Sequence, residues 1–74
     1  MVRKDIKQKF GDHLRSLRSN AALTQEQLAQ RAGLDRSYIG SVERGERNIS
    51  LENMERLSKA LRLPVSRLLE FDNE

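Results

Sequence analysis

Ile6, Phe10, Leu14 and Leu17 recur at steps of four, four and three residues, a spacing that gathers apolar side chains on one face of an α-helix. It predicts a first helix over about residues 4–19, ended by Asn20. Thr24 followed by Gln27 makes a capping box, and Leu23 with Leu28 forms the hydrophobic staple across it. A second helix therefore starts at Gln25. It has room for only about eight residues, because Gly33 supplies a left-handed C-terminal cap and Asp35 is an N-cap for the next helix. In that third helix, over about Arg36 to Arg44, Ile39 and Val42 form the apolar face, while Arg36, Ser37, Gly40 and Ser41 fall mainly on the other side. Gly45 stops it and Glu46, Arg47 and Asn48 make a loop. Ser50 caps a fourth helix with Leu51, Met54, Leu57 and Leu61 at helical spacing, and "VSRLLEF" after Pro64 reads as a short fifth helix.

Two helices joined by a tight glycine-containing turn are the signature of a helix-turn-helix, whose second member can enter the DNA major groove. That groove admits a helix and displays a distinct donor and acceptor pattern for each base pair, so the helix needs polar side chains on its outward face. Arg36, Ser37 and Ser41 meet the need. Gly40 is a departure, since glycine inside a helix costs roughly 1 kcal/mol relative to alanine. Close approach to DNA compensates, or the helix is simply less stable; the sequence leaves both open.

A chain of 74 residues builds one small domain, 1–74, with a single core. Hydrophobic residues make up 36% and charged residues 34%, with no apolar run near the roughly 20 residues that span a bilayer. There is no cysteine, hence no disulfide framework or thiolate metal site, and the basic N-terminus lacks a following apolar stretch of signal-peptide type. The expectation is an all-α cytoplasmic protein without membrane attachment. Residues 1–32 carry seven Lys or Arg against three acids, giving +4, while residues 33–47 balance and the remainder is slightly acidic. Such asymmetry suits a polyanion on one side, or a solvated helix surface. His13 is a lone histidine with no second ligand in evidence, so a solvated side chain is expected, with no metal and no cofactor. One histidine and no cysteine supply no set of nucleophile, base and orienting group, so no catalytic residues are assigned.

From "HLRSLRSNAALTQEQLAQRAGL" through "IGSVERGERNISLENMERLSKAL" to the leucines at 68 and 69, nearly the whole chain resembles the phage repressor and Cro-like, or Xre-like, helix-turn-helix domains. More narrowly, "GLDRSYIGSVERGERNISL" without an effector domain is similar to the controller proteins of restriction-modification systems. The resemblance implies a compact five-helix lambda-repressor-like fold and a sequence-specific transcription regulator that binds a palindromic operator in double-stranded DNA as a homodimer. RNA polymerase is a further implied partner. Carried over position by position, Gln25 contacts phosphate; Arg36, Ser37 and Ser41 reach bases; Tyr38 lies against the backbone or a thymine methyl; and Arg47 and Asn48 approach phosphate from the loop. Arg18 and Glu43 match a partly buried ion pair that ties the first helix to the end of the third. Arg62 stands where many relatives have glycine for a left-handed turn, and Pro64 where they have a capping serine.

Each assignment has a plainer counterpart. Gln25 is a good first-turn helix former, and Arg36 is a cation whose place beside a positive helix end is unfavourable unless an anion is near. A single recognition helix covers only a few base pairs, so specificity asks for two copies, and the interface falls in about residues 49–74. Val65, Leu69 and Phe71 are its candidates, with Phe71 and Val65 the better ones, since at least one of Leu68 and Leu69 is needed to close the core. The competing class is an antitoxin-like protein-interaction module on the same fold, which would want exposed apolar anchors on the third helix.

Overall fold

The computed structural model describes residues 4–71. Four α-helices, α1 (Ile6–Asn20), α2 (Gln25–Ala32), α3 (Arg36–Glu43) and α4 (Leu51–Leu61), are followed by a 3-10 turn at Val65–Leu69, and no strand occurs among the described residues. Local signals set the boundaries. Asp5 caps α1 and forms a capping box with Gln8, so α1 begins at Ile6 rather than at residue 4. Thr24 and Gln27 make the expected box on α2, Gly33 ends it in the left-handed conformation, and the Ser50 hydroxyl accepts from Asn53 N–H at the start of α4. Asp35 has the backbone of an N-cap but makes no side-chain bond. The amide of Tyr38, one of the two it would cap, is already taken by the Asp35 carbonyl at 3.1 Å.

α3 lies between α1 and α2, and α4 packs on α2. Leu14, Leu28, Ile39, Leu57 and Leu68, one from each element, are almost completely inaccessible, each worth roughly 1.5–3 kcal/mol of burial. Gly11 lets α1 and α3 approach backbone to backbone, since a Cβ there would sit 2.5 Å from the Val42 carbonyl oxygen. This crossing brings the cations of α1 over Glu43. Gly45, at φ 77°, ends α3 where a Cβ would strike Gln8 Cα at 2.9 Å.

Three expectations are corrected. The fifth helix is a single 3-10 turn: Pro64 offers no N–H, and the Arg67 amide bonds back three residues to Pro64 O at 3.0 Å. A three-residue repeat then turns Val65, Leu68 and Phe71 toward the core and leaves Leu69 outward. Ile6 and Leu51, read as core positions, are 58% and 78% exposed, because each opens its helix beyond the reach of the packed layers. His13 is not merely solvated: its Nε2–H donates to the Arg67 carbonyl at 2.7 Å, and its ring stands 5.5 Å from that of Phe71, fastening the last segment to α1. Arg62 does adopt the left-handed conformation, at φ 58°.

Candidate nucleic-acid interface

Glu43, the last residue of α3, places its carboxylate where α1, α2 and α3 meet, with a side chain 0% exposed. Arg18 of α1 grips it by two bonds, Nε to Oε2 at 2.6 Å and Nη2 to Oε1 at 3.0 Å, and donates its Nη1 to the Leu23 carbonyl at 2.9 Å. The Gln25 amide donates to Glu43 Oε1 at 3.0 Å, and Arg15 reaches the same oxygen at 3.5 Å. Burial alone pushes the Glu43 carboxyl upward, but the hydrogen bonds from Arg18 and Gln25, the Arg18 charge and the Arg15 bond outweigh it, so the group lies below the usual carboxylate range. The same hydrogen bond raises Arg18 above its ordinary value. Arg18 and Glu43 are thus the expected structural pair, enlarged by Gln25.

The start of α2 and the outward face of α3 form one surface. Arg18, Thr24, Gln25, Glu26 and Arg36 line a single open hollow. Arg36 and Ser37 are exposed, and Arg36 has no carboxylate partner among the described residues. The Gln25 amide gives one N–H to Glu43, which orients it and leaves the other without a hydrogen bond among the described residues.

Ser41 departs from the outward placement. It is buried; its hydroxyl donates to the Tyr38 carbonyl at 2.8 Å and accepts from Arg47 Nε at 3.1 Å. The residue lies on the flank of α3 that meets the following loop, so it positions Arg47. The Arg47 guanidinium also stands 5.6 Å from the Tyr38 ring centre, and the Tyr38 hydroxyl accepts from Asn53 Nδ2 at 3.1 Å. Tyr38, Ser41, Arg47 and Asn53 therefore form one cluster on the flank of α3, with Asn48 exposed beside it. Asn53 went unrecognised in the sequence, where its offset from Ser50 marks only a helix start. Arg44 and Glu46 were also passed over; they pair at 3.0 Å on the surface.

The order expected among the interface candidates is reversed: Leu68 closes the core and Leu69 is 48% exposed, while Val65 and Phe71, expected to be the better candidates, are partly covered by the core. Ile6, Phe10, Ile49, Met54 and Leu69 border one shallow apolar hollow, rimmed by Lys7, Arg47 and Asn48. No group of three His, Cys, Asp or Glu suited to a metal occurs among the described residues, and no described helix is long and apolar enough to cross a membrane.

Residues 9–71 match the family model described as a helix-turn-helix domain. The control protein C.SmaI of Serratia marcescens is 51% identical over 65 residues, spanning 88% of this chain and 77% of that protein. C.BamHI of Bacillus amyloliquefaciens is 44% identical over 68 residues, with 90% and 84% covered. Among solved structures, the restriction-modification controller protein C.AhdI from Aeromonas hydrophila superposes with a TM-score of 0.81 at 52% identity, over 82% of this chain and 92% of that one. A surface made of a short, polar, outward-facing helix behind an anchored first turn, on a chain this similar to known controllers, assigns the protein to the helix-turn-helix family of DNA-binding transcription regulators that includes the restriction-modification controller proteins.

Proposed function

We propose that two copies of this chain bind an inverted-repeat operator, each inserting α3 into the major groove, and that the genes so regulated belong to a restriction-modification system. Binding, with no chemical step and no cofactor, is the whole mechanism. Arg36 and Ser37 read base edges from the first turn of α3, the part of a recognition helix that reaches deepest. Gln25 gives its other N–H to a phosphate, in line with the positive end of α2. Arg47 and Asn48 meet the backbone from the loop, with Tyr38 and Ser41 holding Arg47 in place; Tyr38 also borders the groove.

The observation that carries this reading is Arg36, an exposed cation at the positive end of a helix, with no carboxylate beside it among the described residues. Such a placement is unfavourable until an anion arrives. The exposed residues of α3 are Arg36 and Ser37 rather than apolar anchors, which disfavours an antitoxin-like protein-binding role. The second copy is supported by the exposed Leu69 and its apolar hollow, and two-fold symmetry sets the recognition helices about 34 Å apart. Such a regulator works in the cytoplasm and meets RNA polymerase at its promoter.

Arg36→Ala should lower operator affinity by about 1–3 kcal/mol and relax preference at one position per half-site. Gln25→Ala should weaken all sequences alike. Isotherms on single-base operator variants check both, and an unchanged base profile for Arg36→Ala would reject the assigned role.

A further inference from the structure

Arg36, Gly40 and Arg44 follow one another at four-residue spacing along α3 and its C-cap, but Gly40, expected from the sequence to face outward, is buried under the Arg44 side chain. Gly40 is not among the residues with positive φ, so its conformation does not require glycine. What fills the space is the Arg44 guanidinium. A Cβ on Gly40 would lie 3.1 Å from Arg44 Nη1 and 3.6 Å from Gln25 Oε1, so the two side chains cover the helix backbone there. Arg44 is held from its far side, Nε donating to Glu46 Oε2 at 3.0 Å and Nη2 to Glu46 Oε1 at 3.2 Å. Its Nη1 makes no hydrogen bond to a described residue, and this free edge is the one that lies over Gly40.

A carboxylate on the Nε and Nη2 fork occupies the geometry that a phosphate also takes bidentately. We propose that the Arg44 guanidinium, lying over Gly40, is a seat for one DNA phosphate, and that Glu46 competes with that phosphate for it. The seat rests on the DNA-binding reading above and adds a residue and a brake to it. Free Arg44 is neutralised by Glu46; a phosphate entering the seat either displaces that carboxylate or binds Nη1 against its repulsion. Both routes weaken the hold on any duplex, specific or not. Glu46 therefore limits sequence-independent binding and leaves discrimination to Arg36 and Ser37. Glycine at position 40 lets the Arg44 guanidinium lie against the helix backbone, which answers why a costly residue stands in the recognition helix.

The test is a double-mutant cycle on the full chain, with affinity for operator and for random duplex followed against salt. One neutralised phosphate is worth roughly fivefold per subunit near 0.15 M salt and about one unit of slope. Arg44→Ala should lose that factor on both duplexes and flatten the slope, while Glu46→Gln should tighten both by a similar factor. In the Arg44→Ala background the Glu46→Gln gain should nearly vanish. Both side chains are exposed, so Tm should hold. Gly40→Ala, a better helix former, should raise Tm and yet weaken binding. The seat is overturned if Arg44→Ala leaves affinity and slope unchanged, if Glu46→Gln tightens binding equally without Arg44, or if Gly40→Ala binds as well as wild type. A wild type with no salt-dependent duplex binding would instead overturn the DNA-binding reading beneath it.

Discussion

Replacing Arg18 by methionine keeps the length of the stem but leaves the Glu43 carboxylate, wholly inaccessible, without its principal partner. Three bonds go: the two to Glu43 at 2.6 and 3.0 Å and the one to the Leu23 carbonyl at 2.9 Å. What remains is the neutral Gln25 amide and Arg15, whose bond is long at 3.5 Å and whose side chain is 52% exposed. Since Arg18 is itself only 15% exposed, solvent screens the lost attraction little, and breaking such a pair costs about 3–5 kcal/mol. A domain of this size holds roughly 4–11 kcal/mol in all, so about a quarter or more of its stability should disappear. Urea unfolding followed by far-UV circular dichroism should show the midpoint falling with the slope unchanged, and Tm dropping by about 12 °C or more. Arg18→Met with Glu43→Leu should recover most of the loss, because an apolar pair of similar volume removes the stranded charge. A single variant that loses less than about 1 kcal/mol, or a double variant no better than the single, would refute the claim that this pair fastens α1 to the recognition helix.

Three further outcomes follow from the same geometry. The Glu43 carboxyl is depressed in the folded chain, so its stabilisation is complete above the unfolded value of about 4.3 and fades as pH falls through the folded value; below that pH range wild type should lose more urea resistance than Glu43→Gln does. Arg62 holds a left-handed cap at φ 58°, and Arg62→Gly should raise stability by about 1 kcal/mol in the same unfolding assay. Leu69→Asp should turn a dimer into a folded monomer in sedimentation, with much weaker operator binding; Val65→Asp or Phe71→Asp would disturb the core as well, since both pack against it. Unchanged assembly in Leu69→Asp would remove that residue from the interface.

The extent of α2, α3 and α4 was legible because their ends are written locally: Thr24 with Gln27, Gly33, Gly45 and Ser50 act within a turn of their own positions. The Arg18–Glu43 pair was legible only through the resemblance, since nothing in the spacing brings residues 18 and 43 together. Ser41 was misplaced for a related reason. Helical periodicity gives it a polar flank, and only the fold of the Glu46–Asn48 loop turns Arg47 back onto that hydroxyl. His13 likewise depends on where Arg67 and Phe71 end up. The periodicity that included Ile6 and Leu51 says which face is apolar but not how far the neighbouring layer extends. Reading residues 65–71 with an α-helical repeat hid the three-residue stripe of Val65, Leu68 and Phe71.

Selection of bound duplexes from a random pool, at about 0.1 M salt so that weak backbone binding is screened, asks the protein for its operator without supplying one. Two recognition helices related by a two-fold axis should recover an inverted repeat with half-site centres about 10 base pairs apart, and Arg36→Ala should blur one position in each half. A pool that stays random through successive rounds, or one that converges on a single asymmetric half-site bound by independent copies, would contradict a dimeric, sequence-reading regulator.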